Sequence, residues 1–389
     1  MDELQLYFEP VSHDVAMYEY TRSQMGFSVL MHNEDGFPDT EGIQIAIFGV
    51  PENRLSSSKR DASFAADAIR PWFYALQNHF SNISLVDLGN LKTGMSPDDT
   101  IEAVSEVMSV LLKDNILPVV IGGSQDLTFA QYLAYEKCGR IINMLSVDSR
   151  FDIGKNDEPF HSQSWLNRII FRDPNFLFNF SNLGFQTYLV EQEAIALMKK
   201  LYFDFTRLGM AKNDMTETEP LIRNADVVSF DMSSIRMSDS PAGATPSPNG
   251  FYGEDACQMM RYAGMSEKLS SLGLFELCPV NDPDGHSAHL AAQMLWYFLD
   301  GFAGRKGDDP HMNKSTFIKY IVSIHDIQTD ISFYRSPISD RWWMEVPCPK
   351  KLFSKFERHY MVPCSYKDYQ EALQEHLPDR WWQTFQKFM

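Results

Sequence analysis

The sequence predicts an α/β fold, a three-layer α/β/α arrangement around a mainly parallel sheet. Two observations carry this. Short apolar runs alternate with stretches of helical spacing from residue 43 to residue 302, and strands separated by helices must cross over and so run parallel. The chain is also long, 389 residues of which 44% are hydrophobic and 13% aromatic. That is enough apolar material for one large core with an appendage.

Residues 1–41 are polar, with turn signals at Asn33–Gly36 and Phe37-Pro38, and read as an arm. Ile43–Val50 is an apolar run ending in Gly49-Val50-Pro51, the form of a buried strand entering a loop. Ala68–His79 has helical spacing, with Ile69, Trp72, Phe73 and Leu76 on one side. Strands follow at Leu85–Leu88, Ile116–Ile121, Ile141–Val147, Ala225–Phe230 and Ser271–Leu277. Helices are expected at Thr100–Leu112, Leu127–Tyr135, Gln192–Tyr202, Gly253–Ala263 and Ser287–Phe302. In such a sheet the ligand site lies beyond the C-terminal ends of the strands. The residues to read there are Gly122–Asp126, Asp148–Asp152, Asp231–Arg236 and Glu276–Asp282, and carboxylates stand in all of them.

Composition narrows the function. A formal charge of -18 repels phosphate backbones and anionic lipid, so neither nucleic acid nor a membrane surface is an expected partner. The opening MDELQLYFEP has no basic or apolar leader pattern, and no apolar run reaches the span a membrane helix needs. Five scattered cysteines without zinc spacing read as free thiols in a reducing cytoplasm. Gly122-Gly123 belongs to no phosphate-binding glycine motif.

Residues 306–389 break the alternation and hold four of the seven tryptophans, in the strings Asp340-Arg341-Trp342-Trp343 and Asp379-Arg380-Trp381-Trp382. The plain reading is that the Trp pairs anchor a C-terminal extension to the core. The sharper one is a protein-binding surface, since Trp and Arg are common interface anchors.

The strand ends also carry a resemblance. Gly122-Gly123-Ser124-Gln125-Asp126, Asp148-Ser149-Arg150-Phe151-Asp152, Ser229-Phe230-Asp231-Met232-Ser233 and Glu276-Leu277-Cys278-Pro279-Val280-Asn281-Asp282 follow one another in fixed order. They resemble the GGDHS, DAHxD, SxDxDxxDP and ExNPxxD segments of the ureohydrolases, the arginase, agmatinase and formimidoylglutamase family. Gly49-Val50-Pro51, Ala65–Arg70 and Asp87-Leu88-Gly89 resemble earlier segments of the same family, so the likeness spans residues 42–305. It implies the arginase-like fold and a pair of manganese ions, about 3.5–4 Å apart, generating a hydroxide that attacks a guanidinium or formimino carbon.

The departures matter as much as the matches. By this resemblance Asp148 and Asp231 stand for the bridging carboxylates and Asp152 for the remaining first-site Asp. Gln125 replaces the first-site His, Arg150 the second-site His, and Ser233 a second-site Asp. A guanidinium has no lone pair to donate and stays charged, so Arg150 cannot ligate a metal. It is expected instead to serve as a counter-ion, bidentate to Asp148 or Asp231. A full dimanganese centre is therefore not expected. Gln125, Asp148, Asp152 and Asp231 are left to hold one weakly bound divalent ion, manganese first, or none.

The remaining roles follow the same likeness. His161 stands where the family carries a proton-shuttling histidine, which makes Asp148, Asp231 and His161 the catalytic set. Glu276 matches the carboxylate that pairs with the substrate's cationic nitrogen, and with Arg150 forms the substrate-binding set. His286 and His289 read as capping and packing residues, and Asp126 as the cap of the helix after it. Two function classes follow. One is a hydrolase of linear C–N bonds, with formimidoylglutamate as leading substrate. The other, favoured by the three replacements, is a pseudoenzyme that keeps the pocket and acts as a binding, regulatory or scaffold protein; a small guanidino or amidino ligand and an oligomer are compatible with either class.

Overall fold

The computed structural model describes residues 4–155, 158–325 and 328–389. The first three residues of the arm lie outside it. The main sheet contains β1 (Phe8–Glu9), β2 (Leu30–Met31), β3 (Ile45–Gly49), β4 (Leu85–Leu91), β5 (Leu117–Ile121), β6 (Ile142–Val147), β7 (Leu177–Phe185), β8 (Asp204–Arg207), β9 (Val227–Asp231) and β10 (Ser271–Phe275). Their order is β1-β4-β3-β5-β10-β9-β6-β7-β8, with β2 alongside β4. Every pairing is parallel except that of β1 with β4. This is the expected α/β sheet. The central strands β3, β5, β6, β9 and β10 are buried at every residue, as strands covered by helices on both faces must be.

Two apolar layers sandwich the sheet. One gathers Ile69 and Phe73 of the Ala65–Ala75 helix, Met259 and Met260 of Gly253–Met265, and Leu295 and Phe298 of His286–Ala303. The other gathers Val104 and Leu111 of Pro97–Lys113, Tyr132 of Leu127–Lys137, and Trp165 of Trp165–Ile170. The Pro97 helix starts earlier than its apolar spacing suggests. Ser96 and Asp99 form a reciprocal capping box and Pro97 sits in the first turn, where its missing N–H is no loss. Periodicity also misses β7, because Asn179, Ser181 and Asn182 interrupt its apolar residues, and β8, which is only four residues long. The arm supplies β1 and β2 to the sheet edge.

Two of the early sequence segments meet in a buried ion pair. Arg70 donates from Nε to Asp87 Oδ2 at 2.9 Å and from Nη2 to Asp87 Oδ1 at 3.0 Å, and the Tyr74 hydroxyl donates to the same carboxylate. Arg70 and Asp87 are 2% and 0% exposed.

Beyond residue 305 the chain forms a second, antiparallel sheet in sequential order: β11 (Ile318–Ile324), β12 (Thr329–Arg335), β13 (Trp342–Glu345) and β14 (Met361–Cys364). Helices Tyr366–Leu373 and Asp379–Phe388 cover it, and Ile331, Phe333, Trp342 and Trp381 share its small core. The two tryptophan strings have different conformations. Trp342 and Trp343 lie buried on β13, whereas Trp381 and Trp382 sit on a helix, the first buried and the second 45% exposed. The echo is in the letters and not in the structure. Arg358 donates to Asp226 Oδ1 at 2.6 Å, and His359 stacks on Phe178 at 4.4 Å, fastening this unit to the first.

Replacing Arg70 with Ala leaves Asp87 buried without its cation. The expected cost is about 3–5 kcal/mol of stability, to be read from the urea midpoint. A loss of under about 1 kcal/mol would mean that the carboxylate finds another partner or a proton.

Candidate active site

Strand ends, turns and one loop build the site. After β5 the chain turns through Gly122 and Gly123, with φ of +91° and +75°. A Cβ on Gly123 would lie 2.4 Å from the Glu52 carbonyl oxygen, so only glycine allows this turn. The turn aims the Gln125 backbone N–H at Glu276 Oε1, 2.7 Å away. Asp148 follows β6, Asp231 ends β9, and Glu276 follows β10. Asp152 and Glu276 both lie in the left-handed region, at φ +52° and +64°. A non-glycine residue held there is strained, a feature common at functional sites.

The structure brings Gln125, Asp148, Asp152, Asp231 and Glu276 together, each at most 7% exposed. The Gln125 amide lies between the Ser146 and Ser229 hydroxyls on one side and the carboxyl groups on the other. Its satisfied orientation turns the NH2 to Asp152 Oδ2 at 2.9 Å and Asp148 Oδ2 at 3.3 Å, while its carbonyl accepts from both serines at 3.2 Å. The Trp165 indole also donates to Asp152 Oδ2, at 3.0 Å. Asp148 Oδ1 accepts from the Arg150 backbone N–H at 2.9 Å, and Asp231 Oδ1 from the Ser233 N–H at 2.6 Å.

Burial raises the proton affinity of all four acids, and neighbouring carboxylates add to it for Asp152, Asp231 and Glu276. Asp148 is raised by burial and shares a hydrogen bond with Asp152. Asp152 is held well above the usual carboxylate range by burial and then by Asp148. Asp231 is held there by burial and then by the charges of Asp148 and Glu276. Burial pushes Glu276 up to about 8 even though the Gln125 N–H and the Ser162 hydroxyl favour its charged form.

Arg150 departs from expectation. Its guanidinium donates to the Leu189 carbonyl oxygen at 2.9 Å, and among the described residues it makes no ion pair with Asp148 or Asp231. It reaches Asp148 only as a nearby charge. The reason is local. The Arg150 backbone already serves Asp148, and its side chain runs outward to line a cleft of about 250 Å³ with Asp152, Lys155, Glu158, His161 and Glu191. His161 faces this cleft, with Nδ1 accepting from the Gln163 N–H at 3.1 Å and Nε2 3.5 Å from Glu158.

These residues do not fit a dinuclear metal centre. Arg150 offers no lone pair, and Ser233 uses its hydroxyl to accept from the Thr245 N–H at 3.1 Å. Gln125 faces the acids as a donor. Among the described residues no three His, Cys, Asp or Glu side chains are grouped as a metal ion requires. A single hard cation would need the Gln125 amide to reverse and the carboxylates to converge on it.

Some participants escape a motif reading. Ser146 and Ser229 stand two residues before Asp148 and Asp231, so the alternation of a strand already places them on the same face. Trp165 and Ser162 have no such signal, because the loop after β6 brings in Ser162 and the first residue of the Trp165 helix. Asp126 does not cap its helix; its carboxylate accepts from the Ser124 hydroxyl at 2.5 Å instead. The His286 helix is capped not by His286 but by Asp282, which accepts from the Ser287 and Ala288 N–H groups at 3.0 and 2.9 Å. His289 packs on Trp72 at 4.5 Å.

A carboxyl group with a raised pKa holds more protons folded than unfolded between its two values, here 4.5 and about 8 for Glu276. Its stabilising contribution is thus full at low pH and is lost as pH rises through that window. In chelator, the Glu276→Gln variant should gain stability over the wild type as pH rises from about 5 to 8, measured as the difference in urea midpoints. A difference independent of pH would mean that Glu276 is ionised and compensated.

Comparison with known proteins places this geometry. Residues 43–300 match the model of the Arginase family. The chain is 23% identical over 278 residues to formimidoylglutamase from Staphylococcus haemolyticus, covering 69% of this chain and 89% of that protein. Among solved structures, Trypanosoma cruzi formiminoglutamase with Mn2+2 superimposes with a TM-score of 0.64 at 20% identity, covering 69% of this chain and 96% of that one. Formimidoylglutamase from Bacillus subtilis gives 0.65 at 19%, covering 74% and 95%. The structural likenesses establish the fold, the family match covers most of the chain, and the chain therefore belongs to the arginase family.

Proposed function

We propose that this chain is a formimidoylglutamase-like hydrolase of linear amidines, taking the cationic formimino or guanidino end of its substrate into the acid pocket. One observation carries the reading: four carboxyl groups are buried together at the strand ends with their proton affinities raised. Such a cluster needs either protons or a cationic guest. A planar amidinium suits carboxylates bidentately, as a guanidinium does. Glu276 and Asp231 take the cation, and Arg150 at the rim binds a carboxylate on the far end of the substrate. Water adds to the amidine carbon and gives its proton to Asp148. The C–N bond breaks as the leaving nitrogen takes the proton that Asp148 accepted, which restores the carboxylate, and His161 in the outer cleft exchanges protons with solvent. A lone divalent ion at Asp148, Asp152 and Asp231 is compatible with this reading, and manganese is the first to try. The five cysteines, all free, suit a reducing compartment such as the cytoplasm. No helix among the described residues is long and apolar enough to cross a membrane.

A second reading rests on Gln125, Arg150 and Ser233. They leave a pocket that binds the same ligands without turning them over, with the tryptophan-bearing C-terminal unit as a protein-docking element.

Purified protein, supplied with manganese and then desalted, is assayed for ammonia, formamide or urea release from formimidoylglutamate, agmatine, arginine and guanidino acids. Turnover of at least one, reduced about a hundredfold or more by Asp148→Asn, supports the hydrolase. Binding without turnover supports the second reading, and neither would sink both. Metal per chain, counted by mass spectrometry, should stay below two. It should rise in the combined variant Gln125→His, Arg150→His and Ser233→Asp.

A further inference from the structure

A second cavity, of about 430 Å³, lies where the antiparallel unit meets the main domain. It opens at the N-terminal edge of the parallel sheet, beside Asp226 and Lys268, which precede β9 and β10. The acid pocket lies at the opposite edge, about a strand's length away.

The walls of this cavity contain buried polar atoms that the protein leaves unanswered. Arg223 is 4% exposed. Its Nε donates to Glu219 at 2.8 Å, its Nη2 donates to the Trp342 and Cys364 carbonyls at 3.1 and 3.3 Å, and its plane stacks 4.3 Å over Trp343. Its Nη1 has no hydrogen-bond partner. Asp308, also 4% exposed, accepts from the Ser339 hydroxyl through Oδ2. Its Oδ1 makes no hydrogen bond and has only the Arg341 guanidinium, at 3.7 Å. His311 turns Nδ1 to Asp309 at 2.7 Å and leaves Nε2 unmatched. All three residues line the cavity, and Tyr360 and Trp343 supply aromatic wall.

A buried guanidinium with one nitrogen left without a hydrogen bond and a buried carboxylate with one such oxygen are costly unless something in the cavity they line answers them. The complement of a fixed cation beside a fixed anion is a molecule that carries both charges. We propose that this cavity binds a free α-amino acid, its carboxylate on Arg223 and its ammonium on Asp308, with room for a side chain against Tyr360.

The test is calorimetric titration of the full chain with a panel of free amino acids at millimolar concentration. At least one should bind, and its N-acetyl and methyl-ester derivatives, each lacking one charge, should bind at least about tenfold more weakly. This comparison uses wild-type protein and so does not depend on a variant folding. Asp308→Asn should weaken binding to the same degree, whereas Glu276→Gln should leave it unchanged. No binding by any amino acid, equal binding of the derivatives or of inorganic phosphate, or loss of binding in Glu276→Gln alone would each overturn the assignment. The last would place the ligand in the acid pocket, and the first would leave the cavity to water.

Discussion

The constraint on which the rest of the structure depends is the burial of four carboxyl groups where parallel strands end. A parallel sheet covered on both faces aims all its C-terminal ends at one edge, and here Asp148, Asp231 and Glu276 stand at three of those ends. Neither solvent nor an ion pair neutralises them within the described residues, so their charges repel in a water-poor setting. The backbone is bent to suit: Asp152 and Glu276 are both held at positive φ. The N–H groups of Gln125, Arg150 and Ser233 are spent as donors to these acids. Backbone strain of this kind persists only where the surrounding structure over-determines it.

The opposite edge of the sheet obeys the same rule with the opposite solution. Asp226, fully buried before β9, is met by the Asn143 N–H at 2.9 Å and by Arg358 from the antiparallel unit. The family domain by itself would leave Asp226 and the aromatic Phe178 uncovered. The C-terminal unit supplies Arg358 and His359 to those two residues and seals the sheet. Its tryptophans follow this logic. Trp343 lies under Arg223, and Trp381 donates to the Glu345 carbonyl within the unit's own core.

Much of this was legible in the sequence because strand ends are written locally. The buried runs of β3, β5, β6, β9 and β10 each terminate in a recognisable segment, and those segments carry Gln125, Asp148, Asp152, Asp231 and Glu276 to one place. The orientation of Arg150 was not legible. Its charge argued for a pair with the aspartates, but side-chain direction depends on Leu189, which sits beyond an unread strand. β7 and the antiparallel sheet were likewise hidden. Polar residues break the alternation of β7, and the C-terminal unit forms its core from tertiary contacts that no single window contains. Trp165 shows the general limit: a residue brought by a loop to an acid thirteen positions away leaves no periodic trace.

The replacements also argue about the kind of guest this pocket takes. Two divalent ions would supply four positive charges to the acids, enough to ionise them all. With Arg150 turned outward and Gln125 offering only an amide, the protein itself supplies no positive charge in direct contact with them. Burial therefore favours the protonated forms of these acids, and a single organic cation would satisfy only some of them. In the proposed function the ligand then binds with a change in protonation, and an acid that keeps its proton is a hydrogen-bond donor. Under the proposed hydrolase reading, Gln125, Arg150 and Ser233 at these positions do not by themselves remove acid–base chemistry from the pocket. In that proposed reading the carboxyl groups carry the acid–base role.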